Sequence, residues 1–214
     1  MSRRVSRGIC SICSKEFAKN QMTRHVTACA HSSPSSETRF HLIVEGSYAR
    51  NYWLHLAVKP GTTLADLDNF LRGIWLECCE HLSAFEIDGE QYLSSLYHGA
   101  EARSMAISLH RILYPGIKFT HTYDFGTSTE LSLRFVGTLE FAPEKKKVLL
   151  LARNLAPMFD CTGCGEPATR LCSECSWQDE AWLCDDCSLE HECGEDMLLP
   201  IVNSPRMGQC AYTG

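Results

Sequence analysis

Eight soft metal ligands crowd into the 33 positions from Cys161 to Cys193: Cys161 and Cys164, Cys172 and Cys175, Cys184 and Cys187, then His191 and Cys193. Two residues between paired cysteines bring both sulfurs within reach of one ion at about 2.3 Å each, and a tetrahedral zinc needs two such pairs. Four pairs therefore predict two zinc ions. Sequential pairing would put the first two pairs on one ion. A cross-brace would join Cys161, Cys164, Cys184 and Cys187 on one ion, and Cys172, Cys175, His191 and Cys193 on the other. Cys210 is the alternative to Cys193 as the eighth ligand. Either way both ligand sets close, leaving no position for water, which points to structural rather than catalytic zinc. The His-x-Glu followed by Pro-Cys-x2-Cys of a zinc deaminase is absent.

A second ligand set opens the chain. Cys10 and Cys13 are followed by His25 and Cys29, with Phe17 four residues after Cys13 and Met22 three before His25. A ββα finger keeps its apolar residues at those places. Its helix would run over about 20–30, where His25 and Cys29 fall at i and i+4 on one face. A third zinc is predicted here. If the helix entered a major groove, Ala18, Gln21 and Arg24 would face the bases. Arg3, Arg4, Arg7 and Lys19 would add charge toward a nucleic-acid backbone, or form a solvated face with Lys15.

Charge is unevenly placed in a chain of net charge −6. Residues 1–30 carry six Lys or Arg against Glu16, whereas 157–196 carry eleven acids against Arg170. Phosphate would be drawn to the first end and repelled by the second. There is no long apolar run, and the opening residues lead into a cysteine-rich segment rather than a signal-peptide core. Thirteen cysteines could form disulfides. Their Cys-x2-Cys clustering instead suggests metal binding in a reducing cytoplasm.

These ligands must be carried by something larger. The polar stretch 32–37 reads as a linker, so the finger (1–31) is expected to move relative to the core (38–156), with the double-zinc module and a docked tail over 157–214. In the core, apolar alternation over 40–45 predicts a strand, paired with 52–58 and broken at Pro60 and Gly61. Thr63 and Asp66 form a capping box for a helix whose stripe is Leu64, Leu67, Phe70, Leu71, Ile74 and Trp75. Further strands are expected at 82–87, turning at Asp88 and Gly89, and at 117–123, 130–136 and 148–152; the run 92–112 fits either strand or helix. The fold class is α+β: a mixed sheet with one main packed helix, for which a grasp-like order is one form. His41, His55, His81, His98, His110 and His121 show no metal spacing, and Cys78 and Cys79 read as buried thiols. Lys145-Lys146-Lys147 reads as a solvated start to the last strand.

The runs at 40–44 (Phe-His-Leu-Ile-Val), 63–67 (Thr-Leu-Ala-Asp-Leu), 82–87 (Leu-Ser-Ala-Phe-Glu-Ile) and 118–126 (Lys-Phe-Thr-His-Thr-Tyr-Asp-Phe-Gly) resemble the plasmid Orf-three-like family. Its members are often labelled insertion-element passenger TnpR-like proteins. The resemblance covers about residues 38–153, and its most specific part is Tyr123-Asp124-Phe125-Gly126. Where that family often continues Asp-x-Trp-x-His, this chain has Thr127-Ser128-Thr129-Glu130-Leu131. The resemblance therefore implies a fold and no activity. A glycine-rich loop or His-Arg-Asp run that would make Asp124-Phe125-Gly126 a kinase motif is missing. The simpler reading is a strand ending in a turn, with Asp124 bonding local N–H groups and Gly126 at positive φ. The pattern Cys-x2-Cys-x7-Cys-x2-Cys followed by Cys-x2-Cys-x3-His, from Cys161 to His191, resembles B-box fingers, and that resemblance implies the cross-brace.

Together these features predict a cytoplasmic, non-enzymatic adaptor with three structural zincs. Its acidic module would bind protein, with no membrane or small-molecule substrate involved. The alternative is a nucleic-acid-binding regulator of a mobile genetic element, acting through the basic finger. An enzyme with a site near Asp124 and Glu130 is the weakest reading, because no nucleophile–base pair is visible.

Overall fold

Thr63 and Asp66 start the main helix as their spacing predicts. In the computed structural model, which describes residues 5–30, 36–95, 101–178 and 181–214, the Asp66 N–H donates to Thr63 Oγ1 (3.1 Å) and the Thr63 N–H donates to Asp66 Oδ2 (3.0 Å). Helix α2 (Leu64–Leu71) runs straight into a π-helical turn, Arg72–Leu76. Leu64, Leu67, Leu71, Trp75 and Leu76 are buried against the sheet.

That sheet has ten strands among the described residues. They are β1 (Arg7–Cys10), β2 (Glu16–Ala18), β3 (Glu37–Gly46), β4 (Trp53–Val58), β5 (Ser83–Ile87), β6 (Glu90–Leu93), β7 (Arg103–Ser104), β8 (Lys118–Tyr123), β9 (Thr129–Phe141) and β10 (Val148–Asn154). Their spatial order is β2-β1-β10-β4-β3-β9-β8-β5-β6-β7. Only β6 and β7 run parallel. The architecture is α+β, with a mixed sheet and few helices. Because the parallel pair lies at the edge, the grasp-like order does not hold. Asp88 and Gly89, with φ of 51° and 79°, make the tight turn between β5 and β6, and positive φ at both positions suits the right-handed twist of a hairpin. The ambiguous run 92–112 splits into the end of β6, the short β7 and a 3₁₀ turn at Leu109–Arg111; residues 96–100, His98 included, lie outside the described residues.

The main departure from expectation lies at the N-terminus. Strand β1 pairs with β10 (Gly8 opposite Asn154, Cys10 opposite Ala152), so the finger's hairpin extends the core sheet and does not swing on its linker. Its helix α1 (Lys19–Ala30) lies on the face opposite α2. There Met22, Val26 and Ala30 pack with Trp53, Ala57, Leu139, Leu151 and Ala152. This explains why β4 is buried at every position: Leu54, Leu56 and Val58 face α2, while Trp53 and Ala57 face α1. A strand covered on both faces carries no polar alternation. Gly8 is required where β1 crosses Trp53, since a Cβ there would lie 2.3 Å from the Arg153 carbonyl and 2.4 Å from the indole.

A smaller three-stranded sheet lies within the C-terminal module. It comprises β11 (Arg170–Cys172), β12 (Trp182–Leu183) and β13 (Leu198–Pro200), with β11 central. Short helix α3 (Asp185–Leu189) follows β12. The tail then crosses to the core, where the Ser204 hydroxyl donates to the Trp75 carbonyl at 2.6 Å. Asn203 and Asn154 exchange side-chain hydrogen bonds at 2.7–2.9 Å.

Candidate metal centres

Tetrahedral bonds of about 2.3 Å to sulfur and 2.0–2.1 Å to nitrogen place neighbouring ligand atoms about 3.8 Å (S to S) and about 3.6 Å (S to N) apart. Among the described residues, four groups of Cys and His bring their ligand atoms near that range. In each, the ligand atoms lie within 4.8 Å of one another.

The finger supplies the first group: Cys10, Cys13, His25 and Cys29. Cys10 ends β1, Cys13 lies in the turn, and His25 and Cys29 lie one helical turn apart on α1. Cys13 Sγ is 3.3 Å from His25 Nε2, and the Phe17 ring stacks on His25 at 3.7 Å, holding the imidazole's orientation. The turn itself is specific. The Ser14 N–H donates to the Cys10 carbonyl (2.8 Å), and the Cys10 N–H donates to the Lys15 carbonyl (3.0 Å). Ser14 has φ 59°.

The same turn recurs at the second group. The Gly165 N–H donates to the Cys161 carbonyl (2.9 Å), the Cys161 N–H donates to the Glu166 carbonyl (2.7 Å), and Gly165 has φ 82°. Two segments with no shared sequence beyond Cys-x2-Cys thus adopt one knuckle, whose bends aim both sulfurs inward. Cys161 and Cys164 meet Cys184 and Cys187, with Cys164 and Cys184 sulfurs 3.6 Å apart. The third group joins Cys172, Cys175, His191 and Cys193, with Cys175 Sγ 3.5 Å from His191 Nε2 and 3.7 Å from Cys193 Sγ. Pairs one and three therefore share a site, as do pairs two and four, which is the cross-brace arrangement. Helix α3 links them: Cys184 caps its start, accepting the Cys187 N–H at 3.4 Å, and His191 follows its end.

Electrostatics separates the thiols within each group. In the finger, the Lys15 N–H draws Cys13 below its ordinary value, while burial and the neighbouring Cys13 push Cys29 up to about 11. Burial raises Cys161, but N–H bonds from Cys184, Cys164 and Gly163 outweigh it and bring the thiol down to about 6. Cys187, beside Cys184 and Cys164, is raised. Cys172 is lowered to about 7, chiefly by the Cys175 N–H against its own burial, and Cys175 is raised to about 12 by burial and by Cys193. The first thiolate formed makes each neighbour harder to ionise, and a divalent cation removes that repulsion. The S and S/N donor sets are those zinc prefers.

The fourth group is one that spacing did not reveal. Cys78, Cys79 and His81 meet Cys210, 131 positions away from Cys79. The expectation of buried thiols at Cys78 and Cys79 fails for both: Cys78 is half-buried and Cys79 is exposed. The assignment of His81 as a residue without metal neighbours fails too. Cys210 belongs here, leaving Cys193 with His191. One clue was available: of the thirteen cysteines, the ten predicted ligands leave Cys78, Cys79 and Cys210 over, and these three come together.

Tyr123 and Asp124 support this fourth group. The Tyr123 ring lies between the guanidiniums of Arg72 (4.8 Å) and Arg206 (4.7 Å). Its hydroxyl donates to Glu77 (2.9 Å) and accepts the His81 N–H (3.3 Å). Asp124 does accept local N–H groups, from Gly126 (2.9 Å) and Thr127 (3.2 Å), but the positive φ (64°) belongs to Asp124 and not to Gly126. Its other oxygen pairs with the fully buried Arg206 at 2.9 Å.

Two of the finger's basic residues, Arg7 and Lys19, are engaged within the fold. Arg7 pairs with Glu16, Lys19 reaches Glu45 (3.2 Å) and donates to the Arg50 carbonyl (2.6 Å), and Ala18 is buried. Gln21 and Arg24 are exposed. Arg3 and Arg4 lie outside the described residues. Among the described residues, no helix is long and apolar enough to cross a membrane.

No family model matches this chain, and no curated protein matches it. Among solved structures, the chain is similar to a protein of unknown function, MM3350 from Methanosarcina mazei Go1. The likeness has 19% identity and a TM-score of 0.49, over 55% of this chain and 70% of that one. A likeness of that strength assigns no activity.

Proposed function

We propose that this is a non-enzymatic, cytoplasmic interaction protein, organised by zinc, whose acidic module holds a basic segment of a partner protein. The observation that carries this reading is a cleft of about 590 Å³ beside α3, lined by Arg170, Asp185, Asp186, Leu189, Glu195 and Leu198. Leu189 is 85% exposed on that short helix. Carboxylates around an exposed leucine suit a segment carrying Lys or Arg next to an apolar residue. The zincs would hold this surface in shape, since a module this small depends on its metal to stay folded. The resemblance of residues 38–153 to the Orf-three-like family is part of the same proposal and supplies a scaffold for the module.

The test is capture of partners by the full chain from a nuclease-treated extract. It compares the native sequence with Asp186→Lys/Glu195→Lys and with Leu189→Ser. Capture should survive nuclease and fall in both variants. Loss on nuclease treatment, or capture indifferent to both changes, would sink the reading. The second reading, nucleic-acid binding, is favoured by Gln21 and Arg24 standing exposed one helical turn apart on α1. A gel-shift titration with Arg24→Ala separates it. Binding unchanged in affinity and salt slope would remove the finger as the contact.

A further inference from the structure

We propose that Cys78, Cys79, His81 and Cys210 form a fourth zinc site, an exchangeable one that latches the C-terminal segment onto the core. The proposal stands apart from whatever the acidic cleft binds. It rests first on distances. Cys79 and Cys210 sulfurs are 3.8 Å apart, and His81 Nε2 is 3.4 Å from Cys210 Sγ, close to the about 3.8 Å and about 3.6 Å edges of a tetrahedral ZnS₃N site. All four ligand atoms converge within 4.8 Å.

Chain geometry and charge agree. Glu80, between Cys79 and His81, has φ 58°, and Cys210 and Ala211 have φ of 50° and 52°. Left-handed backbone at non-glycine residues persists where the surroundings enforce it. Here it turns residues from two distant segments of the chain toward one point. Arg72 fixes the loop from the core side, donating to the His81 carbonyl (2.6 Å) and to Ser83 Oγ (3.0 Å). Arg206 places its guanidinium 3.3 Å from Cys78 Sγ. Once metal binding has deprotonated the thiols, their three charges and the Asp124 carboxylate, itself 3.5 Å from His81 Nε2, are met by that guanidinium and the divalent ion. On binding, each thiol gives its proton to solvent as its sulfur bonds the ion.

This site differs from the other three in ways that make its ion easier to remove. It contains no Cys-x2-Cys knuckle, and both Cys79 and Cys210 are exposed. Its ligands come from two distant segments, so losing the ion frees the tail without unfolding a module.

Native mass spectrometry on the full chain, prepared under reductant with zinc as the only added metal, tests this. The native sequence should carry four zincs, and Cys210→Ser and Cys79→Ser three each. These are exposed positions where serine leaves the packing intact. Graded chelation of the native protein should remove one ion before the others. Hydrogen exchange over 207–214 should rise at that three-ion stage, to the level seen in Cys210→Ser. Three zincs in the native protein would overturn the site while leaving the knuckle sites and the acidic cleft unaffected. So would four zincs retained in both variants, or a Cys79–Cys210 disulfide in protein handled without oxidant.

Discussion

Replacing Val26 with aspartate tests whether the finger is a separate module or half of the core's covering. Val26 is fully buried where α1 meets the sheet, beside Met22, Trp53, Leu139 and Leu151. Among the groups named there, no cation lies ready to pair with a new carboxylate, and leaving a charge unpaired in such a place costs several kcal/mol. The helix must therefore lift. Lifting exposes the four large apolar neighbours Met22, Trp53, Leu139 and Leu151, each worth about 1.5–3 kcal/mol when buried. The upper bound is about 6–12 kcal/mol, reduced by the residual burial in an unfolded chain. Domain stabilities are about 5–15 kcal/mol, so the loss should reach the whole sheet. Thermal unfolding followed by circular dichroism should show the main transition falling by more than about 10 °C, at about 2–4 °C per kcal/mol for this size. Hydrogen exchange should rise in peptides spanning β4 and β10, far in sequence from the substitution. An autonomous finger would behave differently: β4 and β10 would exchange at native rates and the main transition would hold within about 2 °C. That outcome would refute the shared-sheet architecture.

Two further expectations concern the core. His41 and His55 lie 2.9 Å apart in the buried contact between β3 and β4, and burial, with the Arg134 charge, lowers them from 6.5 to about 4 and about 3, respectively. The unfolded chain then binds more protons than the folded one between about pH 4 and 6.5, so stability is intact above pH 6.5 and lost as pH falls toward 4, by about 1.4 kcal/mol per histidine per pH unit at most. A His41→Gln/His55→Gln protein should show a shallower decline over that window in melting temperature, and parallel profiles would exclude the pair as the cause. Thr63→Ala removes half of the capping box on α2; it should cost about 1 kcal/mol, read as a melting temperature lower by about 2–4 °C, and an unchanged value would show the cap to be dispensable.

What the sequence disclosed follows the range over which each interaction acts. The α2 cap, the turn at Asp88 and Gly89, and the Cys-x2-Cys knuckles are written in a few adjacent residues, and each appears as its spacing predicts. The pairing of β1 with β10 joins positions about 140 apart. It depends on Gly8 clearing Trp53 and on α1 having an apolar stripe for which a solitary finger has no use. Met22 and Val26 carried that signal, but Met22 also satisfies the finger's own pattern. His25 and Cys29, on the same helix, are equally the mark of a self-contained module. Likewise Arg206, fully buried among Thr127, Thr129, Asp124 and Cys78, sits in a segment whose sequence gives no hint of that role. An arginine can be buried only where acceptors and a carboxylate already wait, and those come from a strand end some eighty residues earlier.

Arg206 also explains how the acidic module keeps its place. Strand β13 ties the tail to β11 of the module, and six residues beyond its end Arg206 is inside the core, stacked on Tyr123. The path between is short and held at Asn203 and Ser204, so the module cannot turn far without pulling a guanidinium out of its acceptors. Within the module, Phe159 stacks on Trp182 of β12 at 3.6 Å, which holds the entering chain against that strand. A partner bound in the cleft beside α3 would therefore be presented at a set angle to the ten-stranded sheet, and loss of the Cys210 ion would loosen the tail beyond Arg206 first, leaving this anchor as the last contact to give way.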